Sequence, residues 1–344
     1  MKKITLLFLF SFCTLIAQTE KYDQLDAIFK TLETTGNGMG GISIYQDGKE
    51  VYQNAFGYAN IEKKIKSTAT TKYRIGSVTK MYTSTIIIQL IEEGKLELDT
   101  PLSTFFPKLP NATMITVKNL LKHQSGLFNI TEDDNFATWM FQPQSRIKML
   151  DRMVKNGVIF EPGTDTSYCN TNYILLGYIA EEITGKSFYD IVQHMIVAPL
   201  QLKRTYVGTD RPKGDQEAVS HQRVENQWEV VSEYTEMSAP GGAGAIVSTP
   251  LEVNKFTNAL YTDKLMSQAF YQQMTDVSTG MGMGLGGMPI MGMQAYGMSG
   301  QIDGFKSLAI FFPEQKISMT LVSNAYESSL QEIMMQVLQV FFKN

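Results

Sequence analysis

Tyr73-Arg-Ile-Gly-Ser-Val-Thr-Lys80 runs directly into Met81-Tyr-Thr-Ser-Thr-Ile-Ile-Ile-Gln-Leu-Ile-Glu-Glu93. The second segment is at first apolar almost all the way round a 3.6-residue period, which predicts a helix buried on most of its surface and ended by Gly94. Such a helix needs other elements packed around it on most sides. The first segment sets Ser77 and Lys80 three residues apart, on one face of a helical turn at the entrance to that helix. A serine hydroxyl is a poor nucleophile until a base removes its proton, and a lysine whose pKa is depressed by burial can be that base. A helix N-terminus would add backbone N–H groups aimed at developing negative charge.

Upstream, an opening helix from about Glu20 to Thr34 precedes Gly41-Ile-Ser-Ile-Tyr45 and Glu50-Val-Tyr-Gln-Asn-Ala-Phe56, which flank the turn Gln46-Asp-Gly-Lys49 and read as a hairpin. Downstream, residues 99–235 hold helix-like stretches separated by Pro and Gly, such as Ser145 to Asn156 and Tyr173 to Thr184. From Gly241 onward, Gly-rich turns alternate with short apolar runs. Phe305 to Phe312 and Ile317 to Ser323 form a second hairpin, and Leu330, Ile333, Met334, Val337, Leu338 and Phe341 recur at helical spacing. The pattern predicts an α/β (α+β) protein: a sheet domain from residues 18–98 and 236–344, flanked by helices, with a mainly helical insertion at 99–235.

Composition narrows the function. The chain has 344 residues, 43% apolar, with a net charge of -4, which is far from the basic balance of a nucleic-acid binder. Met1-Lys-Lys3 followed by the apolar run Ile4 to Ile16 and Ala17-Gln18 reads as a signal peptide over residues 1–17, too short to span a bilayer as a helix. The expectation is an exported protein, periplasmic or secreted, without stable membrane insertion after cleavage. Cys13 follows Phe12, not the small residue of a lipidation motif, and its removal would leave Cys169 without a disulfide partner. The histidines His123, His194 and His221 are scattered, so no metal or other cofactor is expected.

Two Ser-x-x-Lys matches and three Tyr-x-Asn matches occur, so position must separate them. Ser145-Arg-Ile-Lys148 opens a polar amphipathic stretch and reads as a solvated helix face. Tyr52 and Tyr58 belong to the first hairpin and its exit. Tyr168-Cys-Asn170 instead follows Phe160-Glu-Pro-Gly163 and precedes a helix, and a loop entering a helix can present a phenol. Near a cationic lysine that phenol would have a lowered pKa and could serve as general base.

Tyr73 to Lys80, Leu120-Leu-Lys-His-Gln-Ser-Gly-Leu127, Phe160 to Gly163, Tyr168 to Asn170, Pro240-Gly-Gly-Ala-Gly244 and Gly300 to Phe305 stand in one order along the chain. In that order the sequence resembles the serine beta-lactamase-related proteins, which include class C beta-lactamases, D-alanyl-D-alanine carboxypeptidases, D-aminopeptidases and esterases. The likeness covers about residues 25–341. It implies the beta-lactamase/transpeptidase-like fold and an acyl-enzyme serine hydrolase acting on a small-molecule or peptidoglycan-derived substrate. Ser77 would be the nucleophile, Lys80 its proton partner, and Tyr168 the base that also protonates the leaving group. Asn170 would hydrogen-bond substrate or Lys80, and the N–H groups of Ser77 and Gln301 would form the oxyanion hole.

The strand motif departs from the family. Where Lys-Thr-Gly or His-x-Gly is usual, this chain has Met298-Ser299-Gly300, and a thioether cannot pair with a carboxylate. That shifts the expected substrates from beta-lactams and D-Ala-D-Ala toward esters and simple amides. It also keeps open a weakly active or inactive homologue that binds peptidoglycan fragments or a protein partner. Six methionines between Met281 and Met298 read as flexible packing, with Met281, Met283, Met291 and Met293 alternating along a hairpin, although thioethers can also hold Cu(I). His123 and Cys169 read as structural.

Overall fold

The computed structural model describes residues 20–327 and 329–343. The signal-peptide reading and Cys13 lie outside the described residues. The protein is built on one six-stranded antiparallel sheet of β1 (Gly38–Gln46), β2 (Lys49–Phe56), β3 (Gly286–Ile290), β4 (Met293–Ile302), β5 (Phe305–Phe312) and β6 (Ile317–Tyr326), ordered β3-β4-β5-β6-β1-β2. The N- and C-terminal parts of the chain meet where β1 pairs with β6, from Gly38 opposite Tyr326 to Gln46 opposite Ile317. Both strands are buried almost throughout because elements cover both of their faces.

Alternation of side chains divides the sheet into two packed faces. Ile42, Ile44, Leu308, Met319 and Leu321 pack against the helix over residues 20–35 (α1) and the C-terminal helix Leu330–Phe341 (α6). On the other face Ala309, Phe311 and Met298 join the larger core around α2 (Thr79–Glu92). Helix α5 (Pro250–Leu260) lies there too, and its Asn254 donates to the Ser43 carbonyl at 2.8 Å while accepting from Thr320 at 2.7 Å. The helix expected after Lys80 is indeed sunk in the core: every residue from Thr79 to Ile88 is buried, and Tyr82 stacks on Phe256 at 3.7 Å.

Beside α2 run α3 (Arg146–Asn156) and α4 (Asn170–Thr184). Ser145 caps α3 by accepting from the Lys148 N–H, which is why the second Ser-x-x-Lys is a surface feature. The middle of the chain also contains strands that periodicity did not reveal. His221–Val224 pairs with Gln227–Val230, and Tyr206–Val207 joins Ile246–Ser248 and Tyr73–Arg74 in a small sheet. These strands are two to four residues long, too short to carry a period of two. The methionine reading needs correction. Met281 and Met283 precede β3, so they do not alternate with Met291 and Met293 along a hairpin, and Met288 and Met291 are 62% and 49% exposed.

Candidate active site

The site forms where the segment before α2 meets the free edge of β4. Strand β3 pairs with β4 as far as Gly297, opposite Gly286, and beyond that point the edge of β4 faces Ile75 to Ser77. Two glycines allow the approach. Gly76 has φ +51°, and a Cβ there would stand 2.7 Å from the Gln301 nitrogen; a Cβ on Gly300 would stand 2.1 Å from the Ile75 oxygen and 2.9 Å from the Ser77 nitrogen. The Ser77 and Gln301 amides are thereby brought side by side. Ser77 itself lies in a tight 3-10 turn, Gly76–Val78, and α2 begins only at Thr79, so the serine precedes the helix instead of capping it.

Two sequence-predicted groups meet at the Ser77 hydroxyl, and a third, Asn170, holds one of them. Tyr168 Oη lies 2.6 Å from Ser77 Oγ, and Lys80 Nζ donates to Ser77 Oγ at 3.1 Å. Lys80, fully buried, also donates to Asn170 Oδ1 at 2.7 Å and to the Ala243 carbonyl at 2.8 Å. Asn170 is oriented for this: its Nδ2 donates to Thr131 Oγ1 at 2.9 Å and its backbone N–H to Asn129 Oδ1 at 3.0 Å.

Burial lowers the Lys80 amine to about 7, opposed by the Cys169 thiol. Burial also pushes the Tyr168 phenol up to about 12, despite the hydrogen bond from Ser77 that favours its ionised form. The expected lysine-lowered phenol is therefore reversed, because desolvation penalises both charges of the pair and neither is strongly compensated. Near neutral pH the site holds an un-ionised phenol beside a lysine poised to lose its proton. An uncharged amine has two N–H bonds, which Asn170 and Ala243 can accept, leaving its lone pair for the Ser77 hydroxyl.

His123, at φ +57°, accepts the Cys169 N–H at Nδ1 (3.0 Å) and stacks on the Tyr168 ring at 4.8 Å. Burial and the neighbouring Lys80 hold it at about 3, so it serves as a neutral prop for Tyr168. Cys169 is buried with its thiol on the Leu127 carbonyl at 3.4 Å, and burial raises its pKa, which suits a spacer better than a nucleophile. A buried ion pair then ties the two backbones together. Arg74 donates to Asp303 at 2.6 Å and to the Thr235 and Thr209 carbonyls, while Asp303 also accepts from Thr235 N–H and Oγ1.

Two cavities open on Ser77. One, about 310 Å³, is walled by Ile130, Phe136, Trp139 and Ile174 with Asn170 and Gln301 at its mouth. The other, about 650 Å³, is lined by Tyr168, Met298, Ser299, Gln301, Lys306 and Gln331. Met298 is largely buried and Ser299 exposed. The Lys306 ammonium rests 3.7 Å from the centre of the Tyr326 ring, so the cavity holds a cation the strand motif did not announce. Thr131, Asn129, the Ala243 carbonyl and the Arg74–Asp303 pair were not read from sequence, since none lies in a chemistry-bearing pattern of its own. Among the described residues no group of three or more His, Cys, Asp and Glu is arranged to hold a metal.

The Beta-lactamase family matches residues 25–337. The chain belongs to that family. It is a serine hydrolase with the beta-lactamase/transpeptidase-type fold. PbpX of Bacillus subtilis (strain 168), described as a penicillin-binding protein, is 29% identical over 309 residues, 90% of this chain and 75% of that relative. The teichoic acid D-alanine hydrolase of Staphylococcus aureus is 30% identical over 262 residues, 72% of this chain and 59% of that relative's length. Among solved structures, the D-amino acid amidase of Ochrobactrum anthropi SV3, complexed with L-phenylalanine amide, superimposes with a TM-score of 0.81 at 27% identity, covering 94% of this chain and 98% of that one. Among the described residues of this family member, no helix is long and apolar enough to cross a membrane.

Proposed function

We propose that this hydrolase is exported and cleaves esters or amides of small-molecule or peptidoglycan-derived substrates through an acyl-enzyme on Ser77. The carrying observation is that Ser77 Oγ lies within hydrogen-bond reach of both Lys80 Nζ and Tyr168 Oη, at the meeting point of two cavities. Neutral Lys80 takes the Ser77 proton as Oγ attacks the carbonyl carbon, and the Ser77 and Gln301 N–H groups receive the developing oxyanion. Tyr168, still protonated, gives its proton to the departing oxygen or nitrogen and is reprotonated from Lys80. Water, activated by the same pair in reverse, releases the acid and restores Ser77.

The wall of Ile130, Phe136, Trp139 and Ile174 suits an apolar or aromatic acyl group, in keeping with the amidase complexed with phenylalanine amide. Met298 removes the usual cation from the strand position beside Ser77, and Lys306, in the same cavity, sits instead on the Tyr326 ring, so a carboxylate next to Ser77 lacks its usual partner and uncharged esters and amides are favoured there. The intact contacts among Ser77, Lys80 and Tyr168 weigh against the non-catalytic alternative. Intact-mass spectrometry after treatment with a serine-reactive phosphonate tests the reading: wild type gains one adduct and Ser77→Ala gains none. An adduct that persists in Ser77→Ala would refute the assignment.

A further inference from the structure

The cavity that holds Tyr168 does not close at Met298. Gly286, Gly297, Met298, Ser299 and Gln331 line both that cavity and an adjoining groove of about 470 Å³. The groove runs between the β3–β4 arm and α6, with walls of carbon and sulfur supplied by Met288, Ile290 and Met291 from the arm and Met335 and Leu338 from the helix. It stays open because α6 packs over β5 and β6, leaving Met288, Met291 and Met335 at 62%, 49% and 39% exposure. Methionines exposed along a groove make an adaptable apolar lining, since each has three rotatable bonds and a polarizable sulfur. Water and a proton relay are all that ester hydrolysis needs on this side, so the lining calls for a ligand.

We infer that the groove holds the alkyl chain of the leaving group, so that the substrates are esters or amides of a long-chain alcohol or amine. This rests on the acyl-enzyme reading of Ser77. The direction follows from Tyr168, the proton donor to the leaving atom, which lines the cavity opening into the groove and not the one walled by Trp139. The acyl group then occupies the Trp139 cavity. In acylation the bond between the carbonyl carbon and the leaving oxygen or nitrogen breaks as the Ser77 Oγ–carbon bond forms. The proton lost by Ser77 is balanced by the one Tyr168 delivers to the alcohol or amine, whose chain already lies beyond Met298.

Alkyl acetates from ethyl to octyl, followed by acid release in a pH-stat, test this. In wild type kcat/KM should rise about 4-fold per methylene, the gain expected for burying one such group. Met288→Asp and Met335→Lys, at exposed positions, should bring the octyl-to-ethyl ratio down to within a few-fold of one. Ethyl esters of acids of increasing length should keep their slope in both variants, because those chains enter the Trp139 cavity. A flat alcohol series in a wild type that still turns over ethyl acetate would overturn the groove assignment alone, as would an unchanged slope in both variants. A wild-type dimer in sedimentation equilibrium that Met288→Asp dissociates would also overturn it, making the groove an interface between copies. No turnover of any ester together with no adduct on Ser77 would overturn both readings.

Discussion

Around Ser77 the polar groups are locked to one another, whereas along the β3–β4 arm the side chains are held loosely. Lys80 is fully buried and donates to three acceptors, and His123, Asn129 and Thr131 fix Tyr168 and Asn170 from behind. The arm contributes Met288 and Met291, 62% and 49% exposed, to a groove of carbon and sulfur. The difference follows from the two tasks. Proton transfer requires fixed distances in a dry setting, where an unpaired polar atom is costly. Holding an apolar chain requires only area, and flexible thioethers supply that for ligands of several shapes.

The sharpest way to break this contrast is to remove parts of the locked centre. Tyr168→Phe and Lys80→Ala should each lower kcat by on the order of 10³-fold, and the double variant should be scarcely worse than either single, as expected for groups that act as one unit. Steady-state kinetics on a short ester measure it. Losses that multiply in the double variant would show that the two residues work independently.

Next in size is the tie between the two backbones. Asp303→Ala leaves the Arg74 guanidinium buried without its carboxylate and should destabilise the protein by about 3 to 5 kcal/mol. Met288→Ala, on the exposed arm, should change stability by no more than about 0.5 kcal/mol. Urea denaturation followed by circular dichroism gives both values. Equal effects would remove the distinction between a locked centre and a loosely held arm.

The smallest effect comes from pH. Burial lowers the Lys80 pKa to about 7, and the uncharged amine is the form that accepts the Ser77 proton, so activity is lost as pH falls through that value. Initial-rate kcat/KM for a neutral ester should drop tenfold for each unit below about 7. The upper limb set by Tyr168, at about 12, lies beyond the working range. A midpoint near 10 would mean that Lys80 keeps its ordinary pKa and is charged at neutral pH, which would overturn the lowering by burial.

Much of the locked centre could be read from the chain, and little of the arm. Ser77 and Lys80 were legible because three residues span less than one helical turn, and α2 because the apolar run Ile86-Ile-Ile88 with Leu90 and Ile91, ended by Gly94, marks a helix that must be buried. Tyr168 and Asn170 became legible through the order of motifs that the family shares. The methionines misled, because β-alternation over a glycine-rich stretch does not fix where a strand begins, and β3 starts only at Gly286.

By itself the sequence determined the chemistry available: a serine, a lysine and a phenol in a chain with a sizeable apolar core, and no cation at position 298. Only the tertiary structure decided how that chemistry is set. The pKa order of Lys80 and Tyr168 depends on how much water each loses, and that loss comes from helices and strands distant in the chain. The carbonyl of Ala243, which holds Lys80 at 2.8 Å, has no side-chain signature, because every residue carries one. The groove beyond Met298 exists because α6 stops short of covering the arm, a matter of how two layers overlap. Local spacing can fix which groups are neighbours within a turn. Burial and cavities are sums over the whole packed chain, and they appear only when it has folded.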